Sequence, residues 1–253
     1  MSEMNIKDLL FGPAIDGVEE ADYAHMMPGV LAMAKGMDFC FSQGTYVFDW
    51  YKQDIIYISD HLSRFLKVER ESLVKIDDLL NIISEQELTF YSVVMKEARR
   101  FYDKLPESER LEYVFSFPLQ IQMENVSLSV YRRMMPIALS HTGKIWLMLC
   151  SSYSAARNFK RVVYMQKKNS DYRLKFNVKT QLWEKVPLYF PSGNREKSIL
   201  ALASQGLSIN EIADVLQMTP DAVKACRRRL FEQMGVSSMQ EAITYMMNHC
   251  FLK

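Results

Sequence analysis

The sequence is poor in the residues from which local catalytic and metal sites are built. Its four cysteines, at positions 40, 150, 226 and 250, include no pair at the C-x-x-C spacing of zinc ribbons and redox motifs. Its four histidines, His25, His61, His141 and His249, are far apart. There is no Gly-x-Ser-x-Gly elbow, no glycine-rich phosphate loop and no metal-ligand spacing. The chain therefore reads as a non-enzyme with no cofactor. No apolar run is long enough to span a bilayer. The opening residues, MSEMNIKDLLFGPAIDG, lack the basic start and apolar stretch of a secretory signal, so a reducing cytoplasm is expected.

What is present suffices for two modest domains: 253 residues, 49% of them apolar. The net charge of +1 hides an uneven distribution. Residues 1–156 carry an excess of acids, whereas residues 157–185 hold nine Lys or Arg against Asp171 and Glu184. An acidic front is repelled by a phosphate backbone, which assigns it to sensing or pairing and leaves nucleic acid to the rest.

The strongest local pattern lies near the end. In TPDAVKACRRRLFEQMGV, Thr219 can cap a helix, Pro220 suits its first position and Asp221 places negative charge at its positive end. Val223, Cys226, Leu230 and Met234 form an apolar stripe, while Lys224, Ala225 and Arg228 point away from it, flanked by Arg227 and Arg229. Gly235 suits the left-handed residue that ends a helix. Immediately upstream, SINEIADVLQM has Ser208 and Glu211 at capping-box spacing and an apolar stripe of Ile209, Ile212, Ala213 and Leu216. Two short helices joined this tightly, the second basic, predict a helix-turn-helix.

The segment NREKSILALASQGLSINEIADVLQMTPDAVKACRRRLFEQMGVSSMQEAI resembles the DNA-binding domain of the LuxR/GerE/NarL family of bacterial transcription regulators. The matching elements are Arg195–Glu196, Gly206, Glu211–Ile212–Ala213, Val223–Lys224, Met234–Gly235–Val236 and Ala242. The chain departs from the family at Ser192 and Gly193 before the first helix, and at Asn210, Cys226 and Arg229. The resemblance implies base-edge contacts from Lys224, Ala225 and Arg228, and phosphate contacts from Ser208, Asn210, Thr219, Arg227 and Arg229. In the family the fourth helix commonly pairs with its twin. Here Ala242, Ile243, Met246 and Met247 either form such a homodimer face or pack on the domain's own scaffold helix.

Upstream, TYVFDW and DIIYIS around a Lys52–Gln53 turn predict a hairpin. Short helices over HLSRFLKV and ESLVKIDDLLNII follow, then a longer one over EQELTFYSVVMKEARRFYDKL with Leu88, Tyr91, Met95, Ala98 and Tyr102 on one side. LEYVFSFPLQIQ, VSLSVYRRMMPIAL and KIWLMLCSSYS predict three more strands. That order resembles a PAS domain, which implies a ligand between the inner face of the sheet and the helices. Phe48, Trp50, Ile56, Ile58, Phe65, Tyr91, Phe115, Phe117 and Trp146 either line such a pocket for a small molecule or simply fill the core. Haem is unsupported, because Glu85–Leu105 contains no histidine, and the Asn-Cys-Arg-Phe-like run of flavin-binding light sensors is absent.

The expected architecture is α+β. It comprises an amino-terminal segment (1–27), a PAS-like five-stranded antiparallel sheet with helices (28–155), a basic β-rich connector (156–189) and an all-α four-helix helix-turn-helix domain (190–253). The connector either touches phosphates or balances the acidic front. The functional expectation is a homodimeric, sequence-specific regulator that binds double-stranded DNA. The rival is a signalling module whose two domains bind other proteins, and the third reading is a metabolite-processing enzyme in the front domain.

Overall fold

Aromatic and β-branched side chains on both sides of a polar turn make the first hairpin, in which β1 (Gly44–Asp49) and β2 (Asp54–Ile58) pair antiparallel. The turn between them is held by Asp49, whose carboxylate accepts from the backbone N–H groups of Tyr51 and Lys52 at 2.8 and 3.0 Å. The computed structural model describes residues 10–41, 44–67, 75–123, 126–155, 161–188 and 193–248. The chain divides at Val186/Pro187 into two compact units.

In unit 1, helix α1 (Glu20–Cys40) precedes the hairpin and runs across residue 28, where the sequence suggested a boundary. Helices α2 (Asp60–Phe65), α3 (Ile76–Leu80) and α4 (Glu85–Lys104) follow β2. Ser59 and Ser84 cap α2 and α4, each hydroxyl accepting from a first-turn N–H. Parts of the two short predicted helices, at residues 68–74, lie outside the described residues. Strands β3 (Tyr113–Met123), β4 (Val126–Leu139) and β5 (Ile145–Ser154) come next, with β5 pairing back onto β1. The resulting order β2-β1-β5-β4-β3, with the helices inserted between β2 and β3, is the PAS arrangement.

The sheet has eight strands where five were expected. Connector residues form β6 (Val163–Lys167), β7 (Tyr172–Asn177) and β8 (Leu182–Pro187), which extend the same sheet beyond β3. The open edge of β3 explains this: its Tyr113–Ser116 stretch pairs with Tyr164–Lys167 and would otherwise leave backbone groups unbonded. Trp183 of β8 packs its ring 5.5 Å from Phe101 and 5.1 Å from Phe176, which ties the last strand to unit 1.

Each face of the sheet has its own core. The inner face presents Tyr46, Phe48, Phe115, Phe117, Met134 and Met148 to α4, which contributes Tyr91, Met95, Ala98 and Tyr102. Leu10 and Phe11 join this core, Phe11 stacking on Phe48 at 4.5 Å. The outer face presents Val47, Leu147 and Leu149 to Tyr23, Val30 and Ala34 of α1. The buried Tyr23 hydroxyl donates to Asp49 at 2.5 Å, anchoring α1 to the hairpin turn.

Unit 2 consists of α5 (Asn194–Ser204), α6 (Ile209–Val215), α7 (Pro220–Met234) and α8 (Met239–Asn248). Two apolar clusters hold it: Ile199, Ile212, Ala213, Val223 and Cys226 at one end, and Leu200, Leu230, Met234, Ala242 and Met246 at the other. Among the described residues no helix is long and apolar enough to cross a membrane.

Candidate DNA-binding surface and inner cavity

The helix-turn-helix is assembled by caps. The Gly193 N–H donates to Glu196 Oε2 at 3.3 Å, so the first helix is closed by its own third residue. Ser192, the other departure from the family before this helix, lies outside the described residues. At α6, Ser208 Oγ accepts from Glu211 N at 3.3 Å and Glu211 Oε2 accepts from Ser208 N at 2.7 Å, a complete capping box. These hydrogen bonds from Ser208 hold the Glu211 carboxyl below the usual carboxylate range. The chain then turns through Gln217 at φ 51°, with Met218 N–H donating to Ala213 O at 2.8 Å. Thr219 Oγ1 accepts from Ala222 N at 3.2 Å to start α7, and Gly235 ends it at φ 68°.

These caps set where the basic helix starts and stops. Thr219→Ala should therefore lower the stability of unit 2 by about 1 kcal/mol, while Thr219→Ser should restore most of it. The urea midpoint of the helical circular-dichroism signal measures both. An unchanged midpoint in Thr219→Ala would show that the hydroxyl carries no weight.

On α7 the residues at Val223, Cys226, Leu230 and Met234 are buried, and Lys224, Ala225, Arg228 and Arg229 are exposed on the far side. Cys226, one of the departures from the family pattern, is thus a core residue, its thiol pushed up by burial. Arg227 is half-buried: its guanidinium lies 5.7 Å over the Phe231 ring and its Nε has no hydrogen-bond partner. Asn210, Ser208 and Thr219 are exposed at the starts of α6 and α7. The Thr219 hydroxyl accepts from backbone but retains a proton to donate, so a phosphate oxygen can be bound there, whereas the Ser208 hydroxyl already donates to the Glu211 carboxylate.

The basic face also carries acids that the sequence pattern left out. Asp221 and Glu232 fall three residues before Lys224 and four after Arg228, on the same exposed side. Asp221 Oδ1 lies 3.0 Å from Lys224 Nζ. An exposed pair of this kind is worth little and gives way to a stronger partner.

Of the four residues assigned to a dimer face, Ala242 and Met246 are buried against Leu200, Leu230 and Met234 inside unit 2. They belong to its own core, as small and flexible side chains facing a scaffold helix should. Ile243 is half-buried, and the Met247 side chain lies outside the described residues.

Unit 1 contains an inner cavity of about 360 Å3, walled by Trp50, Met95, Phe115, Met134 and Met148, with Arg99, Asp103 and Lys144 also lining it. Of the nine proposed pocket residues, Trp50 and Phe115 line it. Phe48, Tyr91 and Phe117 are buried in the same core, with Ile58 and Phe65 packed against its edge. Ile56 and Trp146 are corrections, because both pack on the outer face with α1. A bulge is the cause at Ile56: Val47 faces Tyr57 and Phe48 faces Ile55, so Ile56 is the extra residue and turns outward with Tyr57. Trp146 sits at the second irregularity, where Ala138 faces Leu147 and Leu139 faces Ile145. One extra residue reverses the side-chain parity.

Of the connector's nine cations, four are engaged within unit 1. Arg161 pairs with Glu87, Lys167 lies 2.7 Å from Glu109, and Arg173 and Lys185 stand over the rings of Tyr164 and Tyr172 at 3.6 and 3.7 Å. Two of the four, Arg161 and Lys167, meet acids of residues 1–156, as charge balancing requires. Among the described residues no cluster of His, Cys, Asp and Glu could hold a metal ion.

Comparison with known proteins agrees with the helical geometry. Residues 193–246 match the family described as bacterial regulatory proteins, luxR family. No curated protein matches the chain. Among solved structures, the phage VqmA–DPO complex is similar at 13% identity over 92% of this chain and 93% of that chain, with a TM-score of 0.34. The Vibrio cholerae VqmA dimer is similar at 10% identity over 85% of this chain and 86% of that one, with a TM-score of 0.30. The PAS domain of Bordetella pertussis BvgS shares 12% identity over 53% of this chain and 89% of its own length, with a TM-score of 0.34. The caps, the turn, the exposed basic face and the family match agree on one assignment: residues 193–246 are a helix-turn-helix domain of the luxR family of bacterial regulatory proteins.

Proposed function

We propose that the chain is a cytoplasmic, homodimeric transcription regulator that reads a specific DNA site with α7 and takes its signal in unit 1. The observation that carries this reading is the capped α7 with Lys224, Ala225 and Arg228 exposed opposite a buried stripe. A helix so presented fits the major groove, where long cations reach guanine O6 and N7 and a small alanine meets a thymine methyl. Ser208, Asn210, Thr219, Arg227 and Arg229 surround it as phosphate contacts. The apolar cavity in unit 1 is of the size that holds a small molecule and supports the sensory half of the reading.

A second reading, in which the helical unit binds a protein, draws on Asp221 and Glu232, since acids on the reading face oppose phosphate. Selection from random oligonucleotides with the full chain, followed by a salt titration of the enriched site, separates the two. DNA reading predicts an approximately palindromic site whose affinity falls steeply with salt. Absence of enrichment, both with and without extracted small molecules, would transfer the assignment to a protein partner.

A further inference from the structure

Arg132 stands in the middle of β4 on the inner face of the sheet and is only 4% exposed. A guanidinium remains charged in any protein environment. The groups that face it are Tyr46 and Tyr91, with ring centroids 5.7 and 5.8 Å from its carbon, and Cys150. Burial pushes the Cys150 thiol up to about 12 and holds both phenols above their ordinary range, so all three are neutral. Among the described residues no carboxylate pairs with Arg132, and its Nε has no hydrogen-bond partner. The Tyr91 hydroxyl accepts from the guanidinium and the two tyrosine faces offset part of its charge, but neither phenol carries a charge of opposite sign. A buried, uncompensated cation is the costly arrangement, because the water it gave up has been replaced by nothing of opposite sign.

Arg132 does not itself line the cavity, but the next residues on its face of the sheet and on α4 do. Met134 is the next residue of β4 on the same face as Arg132, and Met95 is one helical turn beyond Tyr91 on α4. Both line the apolar space bounded by Trp50, Phe115 and Met148. A planar fork of donors matches a carboxylate, and the space beside it matches an apolar or aromatic body. We propose that Arg132 binds the carboxylate of a small aromatic or branched-chain acid whose body fills this cavity, making unit 1 a receptor for an organic anion. The proposal rests on the reading that unit 1 senses a small molecule, and narrows it to one charge class.

The test uses the full chain with benzoate, phenylacetate and isovalerate, each against its neutral amide, by calorimetry and thermal melting. At least one acid is expected to bind about 10-fold or more tightly than its amide, the difference made by a charged hydrogen bond. Arg132→Met should abolish that preference and, without ligand, melt at the wild-type temperature or above, since it removes a charge that nothing compensates. Arg132→Lys should keep part of the preference, having the charge without the fork. Equal binding of acid and amide, no binding of any of the three acids, or a ligand-free Arg132→Met that melts well below wild type would overturn the assignment.

Operator affinity keeps the two ideas apart. Acids that bind through Arg132 but leave operator affinity unchanged sink the sensory reading and leave this site standing. A neutral ligand that changes operator affinity equally in wild type and Arg132→Met keeps the sensory reading and sinks this one.

Discussion

Leu230→Ala is expected to unfold the helical unit while the sheet unit keeps its native tryptophan emission. Leu230 is fully buried in α7, among Leu200, Met234, Ala242 and Met246, so it joins three of the four helices of unit 2. Truncating a leucine at such a place removes its transfer free energy and leaves a cavity, at a combined cost of about 2–5 kcal/mol. A single core in a unit this small supplies only about 3–5 kcal/mol of net stability, so the loss is comparable to the whole. The readout is favourable because Trp50, Trp146 and Trp183 all lie in unit 1. Far-ultraviolet circular dichroism should show lost helix at 25 °C with the emission maximum unchanged, and specific DNA binding should disappear. A fully helical variant with wild-type melting would mean that the α7–α8 contact is not what holds the unit together.

The helix-turn-helix was legible because its signals are local. Ser208 with Glu211, and Thr219 with Pro220 and Asp221, state where each helix starts, and the buried stripe of Val223, Cys226, Leu230 and Met234 states which way α7 faces. The PAS order was legible for a related reason, since strand-helix-strand succession survives in the hydrophobic period alone. What escaped depends on long-range pairing. Ile56 and Trp146 read as inward by alternation, and only the pairing of β1 with β2 and of β4 with β5 shows the extra residues that turn them outward. The connector's strands looked like a separate element because nothing in 163–187 announces that the edge of β3 is open. Ala242 and Met246 carried an apolar stripe equally suited to a twin or to α5 and α7, and burial against Leu200 and Leu230 decides it. Arg132 had no local signature at all. Its meaning comes from the three neutral groups that surround it after folding.

The double substitution Lys224→Ala with Arg228→Ala should weaken binding to the selected DNA site by about 2–6 kcal/mol, if each side chain makes a base contact worth about 1–3 kcal/mol. The two lie one turn apart on the exposed face of α7, so their effects can couple, and both single variants belong in the cycle. Lys224 must leave Asp221 to reach a base, and that release subtracts little, because the pair is exposed. The distinguishing control is Arg229→Ala, which should weaken selected and random DNA equally and lower the salt slope by about 1. Arg229 serves better here than Arg227, whose half-buried guanidinium over Phe231 would add a packing loss to any phosphate loss. Binding isotherms on selected and scrambled duplexes at several salt concentrations measure all of these. If the double variant loses the same factor on scrambled DNA as on the selected site, Lys224 and Arg228 are phosphate contacts, and base reading passes to other side chains on this face, with Asp221 and Glu232 the next to substitute.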